Sequence, residues 1–142
     1  VPGSRVLDLC SGSGNLGFEA ISRGAAHAVL CDQSRSAAEL IRRNADKLGI
    51  ADRVTIVCSD YRQLLLRSDI EPFDIVFLDP PYESDLAHKA AVMILQRNLL
   101  KEGGLIAIEH DAEHVPLPVA GLMRIRDTRR YGSVRLSFAE RE

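Results

Sequence analysis

Short apolar runs alternate along this chain with segments whose apolar residues recur at three- and four-residue intervals. The runs Arg5–Cys10, His27–Cys31, Val54–Cys58, Phe73–Asp79 and Leu105–Glu109 predict strands. The periodic segments predict helices over Asn15–Arg23, from Ser36 to Leu48, over Tyr61–Arg67 and over Asp85–Asn98. Gly24 and Gly49 stop the first two, Ser36 to Glu39 has the spacing of a capping box, and Ser84 can cap the fourth. Strands that alternate with helices in this way build an α/β fold around a largely parallel sheet.

After Glu109 the rhythm changes. His110 to Pro118 is short and holds two prolines, so it cannot form a full crossover helix. Met123 and Ile125 alternate with Arg124 and Arg126, and Val134, Leu136 and Phe138 alternate with Arg135 and Ser137. These are half-buried strands, and a tight turn near Asp127-Thr128-Arg129-Arg130 predicts an antiparallel hairpin.

Composition narrows the class. With 142 residues, 46% of them hydrophobic and 27% charged, residues 1–142 read as a single globular domain with an ordinary core. No apolar run reaches the roughly 20 residues that span a bilayer. Three cysteines, an odd number set in strand-like runs, do not make a disulfide framework and fit a cytoplasmic protein. Cys10, Cys31 and Cys58 fall at the ends of strands expected to be neighbours, but buried strand cysteines are ordinary core residues. His27, His88, His110 and His114 are scattered, so no metal site is expected. A net charge of −2 does not mark a nucleic-acid binder, and any contact with a polyanion needs a local basic patch. Val1-Pro2-Gly3-Ser4 runs straight into a core strand, which suggests a segment upstream of it.

Asp8-Leu9-Cys10-Ser11-Gly12-Ser13-Gly14-Asn15-Leu16-Gly17 joins the first strand to the first helix. Glycines let this backbone turn sharply and approach a ligand, while the helix start offers N–H groups to an anion. Gly12, Gly14 and Gly17 satisfy G-x-G-x-x-G with a strand before and a helix after. Asp8, Ser11, Gly12 and Gly14 are therefore candidate cofactor contacts, for NAD as much as for S-adenosylmethionine. Asp32 ends the second strand and can accept hydrogen bonds from ribose hydroxyls. Asp60 follows the third strand, where it can accept from an adenine amino group or cap the next helix. Ligands of open α/β sheets bind beyond the carboxyl ends of the strands, where these acids gather.

Asp79-Pro80-Pro81-Tyr82 follows the fourth strand. An exocyclic amine on a base is a poor nucleophile because its lone pair is delocalised into the ring. Acceptors on its N–H groups orient the nitrogen and stabilise the charge that develops on it. Asp79 supplies one acceptor and the Pro80 carbonyl a second, while Pro81 stiffens the backbone and Tyr82 stacks on the base. A base taken from a duplex must first be flipped out. The plain alternative is a stiff turn after a strand.

Taken together, these residues resemble the class I S-adenosylmethionine-dependent methyltransferases that act on amino nitrogens. More narrowly, the chain resembles the RsmD family of 16S rRNA guanine-N2 methyltransferases. That match rests on Leu7-Asp8-Leu9 with Gly12-Ser13-Gly14, on Leu16 to Ala25, on Asp79 to Tyr82 and on Arg130-Tyr131-Gly132. The resemblance implies a three-layer Rossmann-like sheet of seven strands, mostly parallel and ending in an antiparallel hairpin. It also implies S-adenosylmethionine over the glycine loop, with Asp32 at the ribose and Asp60 near the adenine. The target base meets Asp79 and Tyr82. The implied partner is ribosomal RNA or a small-subunit assembly particle, met by a monomer in the cytoplasm. Two departures stand out: no basic segment precedes the first strand, and Cys10-Ser11 replaces an aromatic-small pair.

Arg124, Arg126, Arg129, Arg130 and Arg135 gather on the last hairpin. Arg129 and Arg130 are candidate phosphate contacts, although exposed arginines also guard a strand pair against aggregation. Three other readings remain. An adenine-N6 or other base methyltransferase shares the clamp; an NAD-dependent oxidoreductase explains only the glycines; an RNA-binding module explains the abrupt start.

Overall fold

A computed structural model of the chain describes residues 2–9, 14–79 and 85–142. The strands β1 (Arg5–Leu9), β2 (His27–Asp32), β3 (Val54–Cys58), β4 (Phe73–Leu78), β5 (Leu100–His110), β6 (Met123–Tyr131) and β7 (Val134–Arg141) form one sheet. Its order is β3-β2-β1-β4-β5-β7-β6. The first five strands are parallel, and β7 lies antiparallel between β5 and β6. The chain moves outward from β1 to β3, then returns to place β4 on the other side of β1. That reversal makes the gap beyond the ends of β1 and β4 the topological switch point.

Helices cover both faces, which is why β1 is apolar on both sides: Val6, Leu7 and Leu9 are fully buried. On one face α1 (Asn15–Ser22) and α2 (Arg35–Lys47) seat Ala20, Ile21, Ile41 and Ala45 against Val6, Ala28 and Leu30. On the other, α3 (Tyr61–Leu65) and α4 (Leu86–Gln96) seat Leu65, Ile94 and Leu95 against Leu7, Leu9, Val76 and Ile106. Among the described residues no helix lies between β5 and β6. The expected three-layer sheet with its closing hairpin is thus present.

Four local expectations shift. The cap of α2 is Ser34, not Ser36: Ser34 has extended backbone and accepts from the Ala37 N–H at 3.2 Å, while Ser36 sits inside the helix. The fifth strand begins at Leu100, not at the expected Leu105, and takes in Gly103-Gly104, with the ladder jumping from Phe73↔Leu100 to Ile75↔Leu105. The helix after Asp60 closes at Leu66, before Arg67. The hairpin turns at Gly132-Ser133, because Tyr131 pairs with Val134 and Gly132 takes a φ of 63°. Asp127 to Arg130 are strand residues instead, each paired with β7. The expected cap Ser84 lies outside the described residues.

Strand direction places this hairpin. β6 runs parallel to β5, because each is antiparallel to β7. The turn at Gly132 therefore projects at the same edge as the carboxyl ends of β1 to β5.

Candidate active site

Asp8 stands near the end of β1, on the α1 side of the sheet, and is 1% exposed. Its Oδ2 accepts from the Gly17 N–H at 3.0 Å, which ties the first turn of α1 to the central strand. Gly17 permits that approach: a Cβ there would lie 2.9 Å from Leu30 Cδ2. Gly14 precedes the helix with a φ of 82°, and a Cβ on it would meet Phe18 at 3.0 Å and Leu30 at 3.1 Å. The second and third glycines of the motif thus serve the turn and the helix–strand packing. Ser11 and Gly12 lie outside the described residues, as does Cys10.

Asp32 ends β2 and its Oδ1 accepts from the Ser34 N–H at 2.8 Å, which sets the loop into α2. Asp60 is the cap of α3 and accepts from the Arg62 N–H at 2.8 Å. The Arg62 guanidinium also bridges both carboxylate oxygens of Asp60, at 3.1 and 3.0 Å. These side-chain hydrogen bonds hold the Asp60 carboxyl below its ordinary range. Capping is therefore a real role of Asp60, whatever else it contacts.

Asp79 is the first residue past β4 and is exposed. Its carboxyl hydrogen-bonds that of Glu109, near the end of β5. This contact, followed by burial and the charge of Asp79, raises the Glu109 pKa to about 7. Sequence reasoning passed over Glu109, although a signal was there: the first five strands all have an acid within two residues of their ends, namely Asp8, Asp32, Asp60, Asp79 and Glu109. Pro80, Pro81 and Tyr82 lie outside the described residues.

The hairpin arginines do not form one patch. Arg129 pairs with Leu136, which pairs with Glu109, so Arg129 projects on the Asp79 face. It is joined to Asp127 at 3.2 Å and lies over the Phe138 ring. Arg130 projects on the opposite face, where its Nε donates to the Gly132 carbonyl at 3.2 Å. Arg124 is bound to Glu140 at 2.9 Å. Tyr131, 56% exposed, stands beside the turn. His110 is a buried structural residue whose Nε2 meets Ser137 Oγ at 2.7 Å. Cys31 and Cys58 fall on opposite faces of the sheet and do not converge. Among the described residues no cluster of His, Cys, Asp and Glu is arranged to hold a metal ion, and no helix is long and apolar enough to cross a membrane.

These residues fit an adenosyl cofactor. A glycine turn and the start of α1 flank the switch point, and a carboxylate ends the adjacent strand β2. Known proteins narrow the class. Residues 1–140 match the family model described as Conserved hypothetical protein 95. YlbH of Bacillus subtilis is 33% identical over 127 residues, covering 87% of this chain and 69% of that protein. The ribosomal RNA small subunit methyltransferase D of Buchnera aphidicola from Acyrthosiphon pisum is 33% identical over 111 residues. That match covers 78% of this chain and 58% of the relative, so the chain spans little more than half of it. A conserved hypothetical protein of Streptococcus pyogenes, 31% identical, superposes with a TM-score of 0.88 over 100% of this chain and 88% of that one. By the family match and the likeness to YlbH, the chain belongs to the RsmD family and has the class I methyltransferase fold.

Proposed function

We propose that residues 1–142 act as one catalytic domain that methylates an exocyclic amino group of ribosomal RNA, the guanine N2 in 16S rRNA. The observation that carries this reading is the placement of Asp79: it stands across the switch point from the glycine-bearing end of β1. The cofactor is S-adenosylmethionine, which supplies an electrophilic methyl group on its sulfonium. Asp8 holds the first turn of α1, while Ser11, Gly12 and Gly14 line the cofactor. Asp32 accepts from the ribose hydroxyls and Asp60 lies at the adenine.

Asp79 and the Pro80 carbonyl accept the two amino N–H groups of the base and turn the nitrogen lone pair toward the methyl group. Pro81 and Tyr82 hold the ring, with Tyr82 stacked on it. When bound, S-adenosylmethionine would give its methyl group directly to that nitrogen as the methyl carbon–sulfur bond breaks and S-adenosylhomocysteine leaves; no bond to the enzyme would form, and the amine would give up one proton to water. Arg129 and Arg130, on the two faces of the hairpin end, reach phosphates on either side of the inserted nucleotide. The protein works as a monomer in the cytoplasm, on rRNA or a small-subunit assembly particle. Support comes from the relative named as an rRNA small subunit methyltransferase and from the acid-lined edge of the sheet.

Methyl transfer from labelled S-adenosylmethionine to unmodified small-subunit rRNA, with nucleoside analysis of the product, tests this reading. Asp79→Ala and Tyr82→Ala are expected to abolish incorporation while leaving S-adenosylhomocysteine affinity unchanged by calorimetry. Full activity in either variant refutes the clamp. Binding of NAD in place of S-adenosylhomocysteine refutes the cofactor, and a product other than N2-methylguanosine refutes the target.

A further inference from the structure

Asp79 and Glu109 occupy equivalent places on neighbouring strands. Leu78 pairs with Ile108 in the parallel β4–β5 ladder, and the next residue on each strand is an acid. Neighbouring strands lie about 4.8 Å apart, so the two side chains leave the sheet together, and their carboxyl groups hydrogen-bond. Two carboxylate anions side by side repel each other, and a proton shared between them relieves that repulsion.

The surroundings do not offset the charge. On β1, Asp8 shares this face but is occupied by the Gly17 N–H. From α1, Glu19 is paired with Arg23 at 2.7 Å. On β7 the residue beside Glu109 is Leu136, and beyond it on β6 Arg129 is engaged by Asp127. Among the described residues, then, Glu109 has no cationic partner, and its pKa of about 7 follows from the shared hydrogen bond and burial.

We propose that Glu109 is a positioning residue for methyl transfer: its protonated carboxyl donates to one oxygen of Asp79 and leaves the other aimed at the amino group of the base. The inference rests on Asp79 being the amine acceptor. Loss of the Glu109 proton replaces the hydrogen bond by repulsion between like charges, and Asp79 leaves its place. Glu109 thus couples the clamp to pH without touching the base.

Initial rates on unmodified small ribosomal subunits, from mildly acidic to mildly alkaline pH, test the proposal in the parent and in two Glu109 variants, with Asp79→Ala beside them. The unsubstituted enzyme is expected to lose rate as pH rises through about 7. Glu109→Ala should lower kcat roughly 10- to 100-fold, the worth of one hydrogen bond to a charged group, with S-adenosylhomocysteine affinity unchanged. Glu109→Gln, whose amide donates at every pH, should keep the rate and lose the alkaline decline. In carbon-13 spectra the Glu109 carboxyl should titrate near 7 and fall toward the ordinary glutamate range in Asp79→Asn. Equal loss in Glu109→Gln and Glu109→Ala, or wild-type rates and profiles in both, overturns the role of Glu109. If Asp79→Ala is inactive in the same assay, the clamp survives that result; an active Asp79→Ala overturns the clamp itself.

Discussion

A single missing carbon at Gly17 lets α1 close on β2, and its neighbour Asp8 fixes the approach with one buried hydrogen bond. Gly17→Ala is expected to cost about 1–3 kcal/mol by overpacking against Leu30, read from the urea midpoint at unchanged slope. The same substitution pushes the first turn of α1 away from the switch point, so S-adenosylhomocysteine affinity should fall with it. A variant as stable as the parent would mean that Leu30 yields at no cost. This packing was legible in the sequence as G-x-G-x-x-G between a strand and a helix, a local pattern that names its own context. Glu109 was not. Its meaning depends on which strand lies beside β4, and a parallel pair joined through a helix is a nonlocal contact that periodicity does not reveal. The acid at each strand end was visible, but the hydrogen bond between two of them was not.

Helix starts show where local patterns mislead. Ser36 and Glu39 have the spacing of a capping box, yet Ser34 caps α2, because Asp32 receives the Ser34 N–H and sets the entry of the chain. In the same way, the turn expected at Asp127 to Arg130 was displaced to Gly132 by the ladder with β7. Pairing across strands decides register, and charged turn-like residues do not. Asp60 is the cap of α3, and that role can be parted from its proposed contact with the adenine. Asn and Asp cap helices equally well. Asp60→Asn is therefore expected to keep the melting temperature within a degree or two of the parent while lowering S-adenosylhomocysteine affinity several-fold. Asp60→Ala should lower both. Calorimetry beside thermal unfolding reads the difference: an Asn variant that binds the cofactor normally leaves Asp60 as a helix cap and nothing more.

Across the whole molecule the carboxyl groups divide into two sets, and pH separates them. Asp60, Asp69, Asp74, Asp85 and Asp111 are held below their ordinary value of 3.8 by hydrogen bonds, from Arg62, Arg67, Arg5, Lys89 and His114 respectively. A depressed carboxyl stabilises the fold above the unfolded value, and its contribution disappears as pH falls through the folded one. Glu109 has the opposite sign. Its folded value of about 7 lies above the ordinary 4.5, so its contribution is complete below 4.5 and is lost as pH rises through 7. The unfolding free energy should therefore peak in the mildly acidic range and decline toward neutrality. The decline comes from the edge of the sheet where Asp79 and Glu109 meet. Glu109→Gln removes the titrating group but keeps a donor for Asp79, so its stability should stay level where the parent declines. Denaturant unfolding of both proteins at a series of pH values checks this, and parallel curves would show that the shared proton is absent from the folded state. A steeper decline in the parent would instead show that this fold gives up stability at neutral pH to keep two acids side by side at the carboxyl ends of its strands.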